Sequence, residues 1–252
     1  MVQIVIVGGG FGGLAAAKAL RNTSADIILI DRTNHHVFQP LLYQVATSVL
    51  SPSQIGSPIR GILRNQENTT VILGEVIGVD KDEKRVFVND ADRQGVPLAY
   101  DYLILATGAT HSYFGHSEFE KYAPGLKSLA DAVAIRNKVL QTFERAEAEE
   151  DTSLHRDLLT FVLVGAGPTG VEMASAIAVL VRSTLKSESG GSIQSLRELS
   201  SSIRRHESLE LSQRTFPRPR KIGSRNWASR FGSATASIRS TRTASWWRGS
   251  VF

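Results

Sequence analysis

Two glycine-rich turns carry the residues with chemistry to offer: Gly8-Gly9-Gly10-Phe11-Gly12-Gly13 and Gly165-Ala166-Gly167-Pro168-Thr169-Gly170. Each stands between an apolar run of strand length, Gln3 to Val7 and Thr160 to Val164, and a helical pattern, Leu14 to Leu20 and Val171 to Leu180. In such a turn the first glycine permits the sharp bend and the second lets backbone approach a pyrophosphate. The third lets the helix pack on the strand, while the helix N-terminus offers N–H groups to the phosphates. Two units in one chain suggest two dinucleotides, and so electron transfer between a flavin and a nicotinamide.

The first unit has a further component. Asp26-Ile27-Ile28-Leu29-Ile30-Asp31 reads as a second parallel strand that ends on an acid 18 residues after Gly13. A carboxylate there accepts hydrogen bonds from a ribose and disfavours a 2′-phosphate.

The elements that must hold these turns follow from punctuation and periodicity. Pro40 and Ser51-Pro52-Ser53 break the chain after Asp31, and Ser51 or Ser53 can cap a helix over 54–63. Val71-Ile72-Leu73 reads as a short buried strand, and Glu75 to Val79 with Arg85 to Val88 as an antiparallel hairpin around a charged turn. Tyr102 to Gly108 reads as a buried parallel strand entering a turn of small residues. Leu129 to Glu150 has helical spacing, with an acidic end that reads as a solvated face and connector.

Composition bounds the chemistry. The 252 residues are 42% hydrophobic and 21% charged, which is ordinary for a globular chain. The absence of cysteine excludes a redox dithiol and thiolate metal ligands within this sequence. His35, His36, His111 and His116 have no metal-ligand spacing and read as loop histidines, so no metal is expected. No Ser-His-Asp or paired-carboxylate pattern is present. The first strand begins almost at Met1 and no apolar run reaches membrane-spanning length, so a cytoplasmic location is the expectation. The net charge of +5 is unevenly distributed. Gln213 to Phe252 holds nine Arg or Lys and no acid, leaving 20 of the 29 basic residues against all 24 acids in the body.

The order GGGFGG, FQPLLYQVATSVLSPSQIGSPIR, a GEV hairpin, YLILATGAT and VLVGAGPTGVE resembles the type II NADH dehydrogenases, non-pumping NADH:quinone oxidoreductases of the two-dinucleotide flavoproteins. The likeness covers about Met1 to Glu188; the glycine turns belong to the whole superfamily, whereas PLLYQVAT is particular to this branch. It implies FAD on the first unit, with Gly8, Gly10, Gly12 and Gly13 at the pyrophosphate and Asp31 and Arg32 at the adenosine end. It also implies the Val76 backbone facing the adenine, Ala106, Thr107 and Gly108 against the FAD, and Gln44 and Thr47 towards the flavin. NADH would lie at Gly165, Gly167 and Gly170. Glu172, two residues past Gly170, corresponds to an acid near the flavin–nicotinamide junction and is the candidate catalytic residue. In the first turn of its helix it would also favour the helix dipole.

The resemblance further implies a quinone acceptor, no specific nucleic acid, and scope for self-association. Peripheral attachment to the cytoplasmic face of a membrane is expected for the full-length family member alone. The fold expected is α/β: a Rossmann-type FAD-binding domain with an inserted antiparallel β-hairpin, then an incomplete second Rossmann unit and a disordered tail. The boundaries are 1–151 for an incomplete FAD-binding domain, 152–188 for one strand and one helix of an NADH-binding domain, and 189–252 for the tail. Two other readings remain open: a ferredoxin- or rubredoxin-type NAD(P)H reductase, against which PLLYQVAT argues, and a non-catalytic nucleotide-binding fragment.

The second unit's pattern stops after Val181 to Lys186. Ser189 to Phe252 is rich in Ser and Arg and holds Trp227, Trp246 and Trp247. A shifted reading frame accounts for it. When each codon is built from the third base of one and the first two of the next, Asn226-Trp227-Ala228 forces Leu-Gly and Trp246-Trp247 forces Val. With permitted codons, Ser189 onward then reads as an apolar strand ending in Asp, where the second ribose acid belongs. The Ala-Gln-x-x-x-Gln quinone region and the C-terminal amphipathic helices that the family resemblance implies have no counterpart here.

Overall fold

The computed structural model describes residues 1–113, 115–164, 167–188 and 250–251. In chain order the elements begin with β1 (Val2–Val7), α1 (Phe11–Ala19), β2 (Ala25–Asp31), β3 (His35–Val37), α2 (Leu42–Ala46) and α3 (Pro52–Ile55). There follow β4 (Gly56–Pro58), α4 (Ile59–Ile62), β5 (Thr69–Leu73), β6 (Glu75–Asp80), β7 (Arg85–Asn89) and β8 (Val96–Ala99). The chain continues through β9 (Tyr102–Leu105), α5 (Leu129–Ala148), α6 (Thr152–Leu158), β10 (Phe161–Val162), α7 (Pro168–Glu188) and β11 (Ser250–Val251). They fall into two compact units. One comprises Met1–Gln39 and Ser51–His111; the other comprises Pro40–Leu50 and the described residues from Ser112 onward.

The first unit is built on a parallel sheet in the order β5-β2-β1-β9. β1 is apolar at every position from Ile4 to Val7 because both of its faces are covered, the signature of a central parallel strand. Ile4 and Ile6 pack with Leu14 and Ala17 of α1, Ile27 and Leu29 of β2, and Ile59 of α4. Val5 and Val7 face the other way, with Ile30 of β2 and Val86 and Val88 of β7. The antiparallel sheet β6-β7-β8 thus supplies the second cover. Asn68 ties the lower end of the unit together: its Nδ2 lies 3.2 Å from each of the carbonyls of Leu20, Thr23 and Ala25, between the end of α1 and the start of β2.

In the second unit α2 packs on α5 and α7, and α5 on α6. Along α5 the buried positions Ala132, Ile135, Val139, Thr142, Phe143 and Ala146 recur at helical spacing and form one stripe. Ser128 caps this helix: its Oγ accepts the Asp131 N–H, and Asp131 Oδ2 accepts the Ser128 N–H. The Phe143 ring lies 5.6 Å from that of Phe161 on β10.

The α/β class, the parallel sheet and the β6–β7 hairpin are as the sequence predicts. Several particulars differ. The helix over 54–63 is broken into α3 and α4, because Pro58 disfavours helical backbone at Ser57 and β4 pairs instead with His35–Val37. His35 and His36 therefore stand on a strand and not in a loop. A third antiparallel strand, β8, accompanies the hairpin; Pro97 masks it in the sequence, yet a proline is tolerated on an edge strand. β5 and β9 are edge strands, and Leu73, Tyr102 and Leu105 are exposed where buried strands are predicted. The strand expected over 160–164 is confined to Phe161–Val162, which pairs with β11 in parallel. Apart from Ser250–Val251, the tail and the shifted-frame reading of it lie outside the described residues.

Candidate functional site

The first glycine turn is forced by the close approach of two strand ends. Val7 pairs with Leu105, so β1 and β9 deliver Gly8 and Ala106 to the same place, and the Ala106 N–H donates to the Val7 carbonyl at 2.8 Å. Gly8 has φ +106°, and a Cβ there would collide with the Ala106 carbonyl. A Cβ on Gly13 would collide with the Gly8 carbonyl, so the third glycine lets α1 begin directly over the turn. Gly10 differs from both. It is the N-cap of α1, with ordinary extended backbone, and a Cβ on it would meet nothing within 4 Å. The first helical bond runs from the Leu14 N–H to the Gly10 carbonyl at 3.0 Å, so the N–H groups of Phe11, Gly12 and Gly13 have no acceptor within the helix.

Asp31, at the end of β2, closes the turn. Its Oδ2 accepts the Gly9 N–H at 2.5 Å, while Oδ1 accepts the N–H and the hydroxyl of Thr33, each at 2.7 Å. A carboxylate has about four acceptor positions, so Oδ2 keeps one for a further donor such as a ribose hydroxyl. Gly9 is buried and confined: a Cβ on it would lie 2.5 Å from Ile59 Cδ1 and 3.2 Å from Asp31 Oδ2. Its carbonyl lies 3.2 Å from His36 Nδ1. The His36 ring also meets Phe11 edge-on, with centroids 4.9 Å apart.

Val76 lies at the start of β6, paired with Val88 next to a bulge, and packs on the β1–β2 face. Ala106, Thr107 and Gly108 follow β9, with Gly108 at φ +73° and open space where a Cβ would stand. Arg32 is exposed beside Asp31. The first unit therefore gathers Gly8 to Gly13, Asp31 and Ala106 at the carboxyl ends of β1, β2 and β9. This is the side of an open parallel sheet, at the point where strand order reverses, on which ligands bind. An open cradle at Gly10, unpaired helix-end donors and a spare acceptor on Asp31 fit a dinucleotide.

The remaining predicted residues belong to the second unit. Gln44 and Thr47 end α2: the Gln44 carbonyl accepts the N–H groups of Val49 and Leu50, and the buried Thr47 hydroxyl donates to the Tyr43 carbonyl at 2.8 Å. Ser48, next along, has φ +63°. Gly167 precedes α7, as Gly10 precedes α1, and accepts the Val171 N–H at 3.2 Å; Gly170 is in the first turn. Gly165 lies outside the described residues. Glu172 is exposed, and because α7 starts at Pro168 it lies beyond the first turn, contrary to the sequence expectation. The dipole falls off within that turn, so it gives no reason for an acid at this position. The contact of His36 with this turn is not legible in the sequence, because its partner is a backbone carbonyl.

A parallel sheet with a glycine turn leading into a helix and an acid at the next strand's end defines a dinucleotide-binding α/β protein. The chain belongs to the pyridine nucleotide-disulphide oxidoreductase family, whose model matches residues 2–206. It is 50% identical over 184 residues to the type II NADH:quinone oxidoreductase Ndh of Mycobacterium tuberculosis, a match covering 73% of this chain and 40% of that one. It is 33% identical over 191 residues to an external alternative NAD(P)H-ubiquinone oxidoreductase of Arabidopsis thaliana, B3, covering 33% of it. Among solved structures, NDH2 of Plasmodium falciparum in complex with NADH superposes with a TM-score of 0.69 at 30% identity, over 74% of this chain and 38% of that one. The chain thus spans less than half the length of these relatives.

Proposed function

We propose that the first unit binds FAD and that the chain is part of an FAD-dependent NADH dehydrogenase that passes electrons to a quinone. The observation that carries this reading is the junction of Gly8 with Ala106, closed by Asp31, at the carboxyl ends of β1, β2 and β9. The likeness to a mycobacterial type II NADH:quinone oxidoreductase supports the choice of donor and acceptor. The glycine turn from Gly8 to Gly13, with Asp31, would hold the FAD, which would supply two-electron redox chemistry between NADH and the quinone.

The residues divide the work. Gly10, Gly12 and Gly13 admit the pyrophosphate to the N–H groups of α1, with Gly8 making the bend. Asp31 and Arg32 hold the adenosine ribose end, and the Val76 backbone faces the adenine. Ala106, Thr107 and Gly108 line the FAD. Gln44 and Thr47 are assigned to the flavin side, and Gly165, Gly167 and Gly170 to NADH. Glu172 is assigned to the flavin–nicotinamide junction, in proton delivery. By the family likeness, residues 1–151 are assigned to the FAD-binding domain, a wider span than the first compact unit, and 152–188 to the start of the NADH-binding domain. Peripheral association with a membrane belongs to the full-length family member; among the described residues no helix is long and apolar enough to cross one.

The test is stepwise. Purified protein titrated with FAD should quench its fluorescence, and the loaded protein should then be assayed for quinone-dependent NADH oxidation. FAD bound without turnover would leave a nucleotide-binding fragment. Failure to retain FAD would overturn the reading.

A further inference from the structure

Gly9 is held from both sides by residues distant in sequence. Its N–H donates to Asp31 Oδ2 and its carbonyl lies 3.2 Å from His36 Nδ1. A carbonyl can only accept, so His36 Nδ1 carries the proton. The Gly9 carbonyl and the Gly10 N–H belong to one planar trans peptide and point in opposite directions. Fixing the one therefore fixes the other.

A peptide between two glycines is the least restrained in a chain, since neither residue has a Cβ to limit rotation. Left untethered, the Gly9–Gly10 peptide can turn over and present an oxygen in place of an N–H. Facing an anion, that exchange replaces an attraction with a repulsion. His36 itself is fixed, because β3 pairs with β4 (His36 opposite Ser57) and the Phe11 ring meets the imidazole edge-on.

We propose that His36 is a positioning residue for the bound dinucleotide: its Nδ1–H holds the Gly9 carbonyl so that the Gly10 N–H faces the pyrophosphate. This rests on the FAD-binding reading of the site. His36 touches the glycine turn through the Gly9 carbonyl, and its effect is on affinity.

Two substitutions separate the hydrogen bond from the ring. His36→Phe keeps the ring and its contact with Phe11 but has no donor, whereas His36→Asn keeps an N–H donor and loses the ring. FAD and, separately, ADP are titrated into the full chain, and melting of the apo proteins is recorded alongside. His36→Phe should weaken both ligands by about tenfold, the loss of one hydrogen bond. His36→Asn should stay within about threefold of the parent, and both apo variants should melt with it. Unchanged binding by His36→Phe, or equal weakening by both variants, would overturn the proposal while leaving the FAD reading intact. If the parent binds neither FAD nor ADP, the FAD reading fails and the proposal with it.

Discussion

Asp31 Oδ2 accepts the Gly9 N–H at 2.5 Å, which makes the acid at the end of β2 a structural part of the glycine turn at the end of β1. A residue expected to serve the ribose alone therefore also shapes the glycine turn. Asp31→Ala removes both functions and should weaken FAD retention by about 1–3 kcal/mol, the range for charge-assisted bonds. Flavin content after desalting measures this, and equal content in mutant and parent would refute the assignment.

Gly8 and Gly10 should separate folding from binding. Alanine at position 8 meets the Ala106 carbonyl at φ +106°, so Gly8→Ala should destabilise the apo protein by about 1–3 kcal/mol or more. Alanine at position 10 enters open space with ordinary backbone and should cost the fold about 1 kcal/mol or less. If FAD binds as proposed, the same methyl group would stand in the path of the pyrophosphate, so Gly10→Ala should lose FAD while melting near the parent. Urea unfolding paired with flavin titration distinguishes the two.

Ser48 ends α2 in left-handed backbone at φ +63° and is exposed, so packing does not complicate its substitution. Ser48→Gly should stabilise the protein by up to about 1 kcal/mol, and Ser48→Val should destabilise it by about 1–2 kcal/mol. Thermal midpoints of the three proteins should fall in the order Gly, Ser, Val; a valine variant as stable as the parent would contradict the strain.

Asp151 caps α6. Its carboxylate accepts the Ser153 hydroxyl at 2.6 Å and the Ser153 N–H at 2.9 Å, which hold its pKa below the ordinary carboxylate value. A depressed folded-state pKa contributes stability above the unfolded pKa of about 3.9, and that contribution is lost as pH falls through the folded value. The difference in melting point between parent and Asp151→Asn should be steady at neutral pH and close under strong acid. A difference that persists below both pKa values would place the effect elsewhere.

The sequence by itself determined the elements whose signals are local. β1, β2, α1 and α5 follow from apolar runs, glycine punctuation and a 3.6-residue stripe, and the β6–β7 hairpin from its charged turn. Each of these is decided by neighbours a few residues away. The glycine turn and Asp31 were legible for the same reason, since their spacing is a short-range constraint of the βαβ crossover.

Only the tertiary structure decided how those pieces meet. Gly8 must be glycine because Ala106, about a hundred residues later, passes against it. Gly9 is tied to Asp31 and His36, 22 and 27 residues on, and the second tie ends on a backbone carbonyl that no pattern of side chains encodes. The predicted helix over 54–63 gave way to β4 because His35–Val37 offered a strand to pair with. β5 and β9 carry apolar runs like those of central strands, and their edge positions depend on sheet order, which is fixed by crossovers between distant segments.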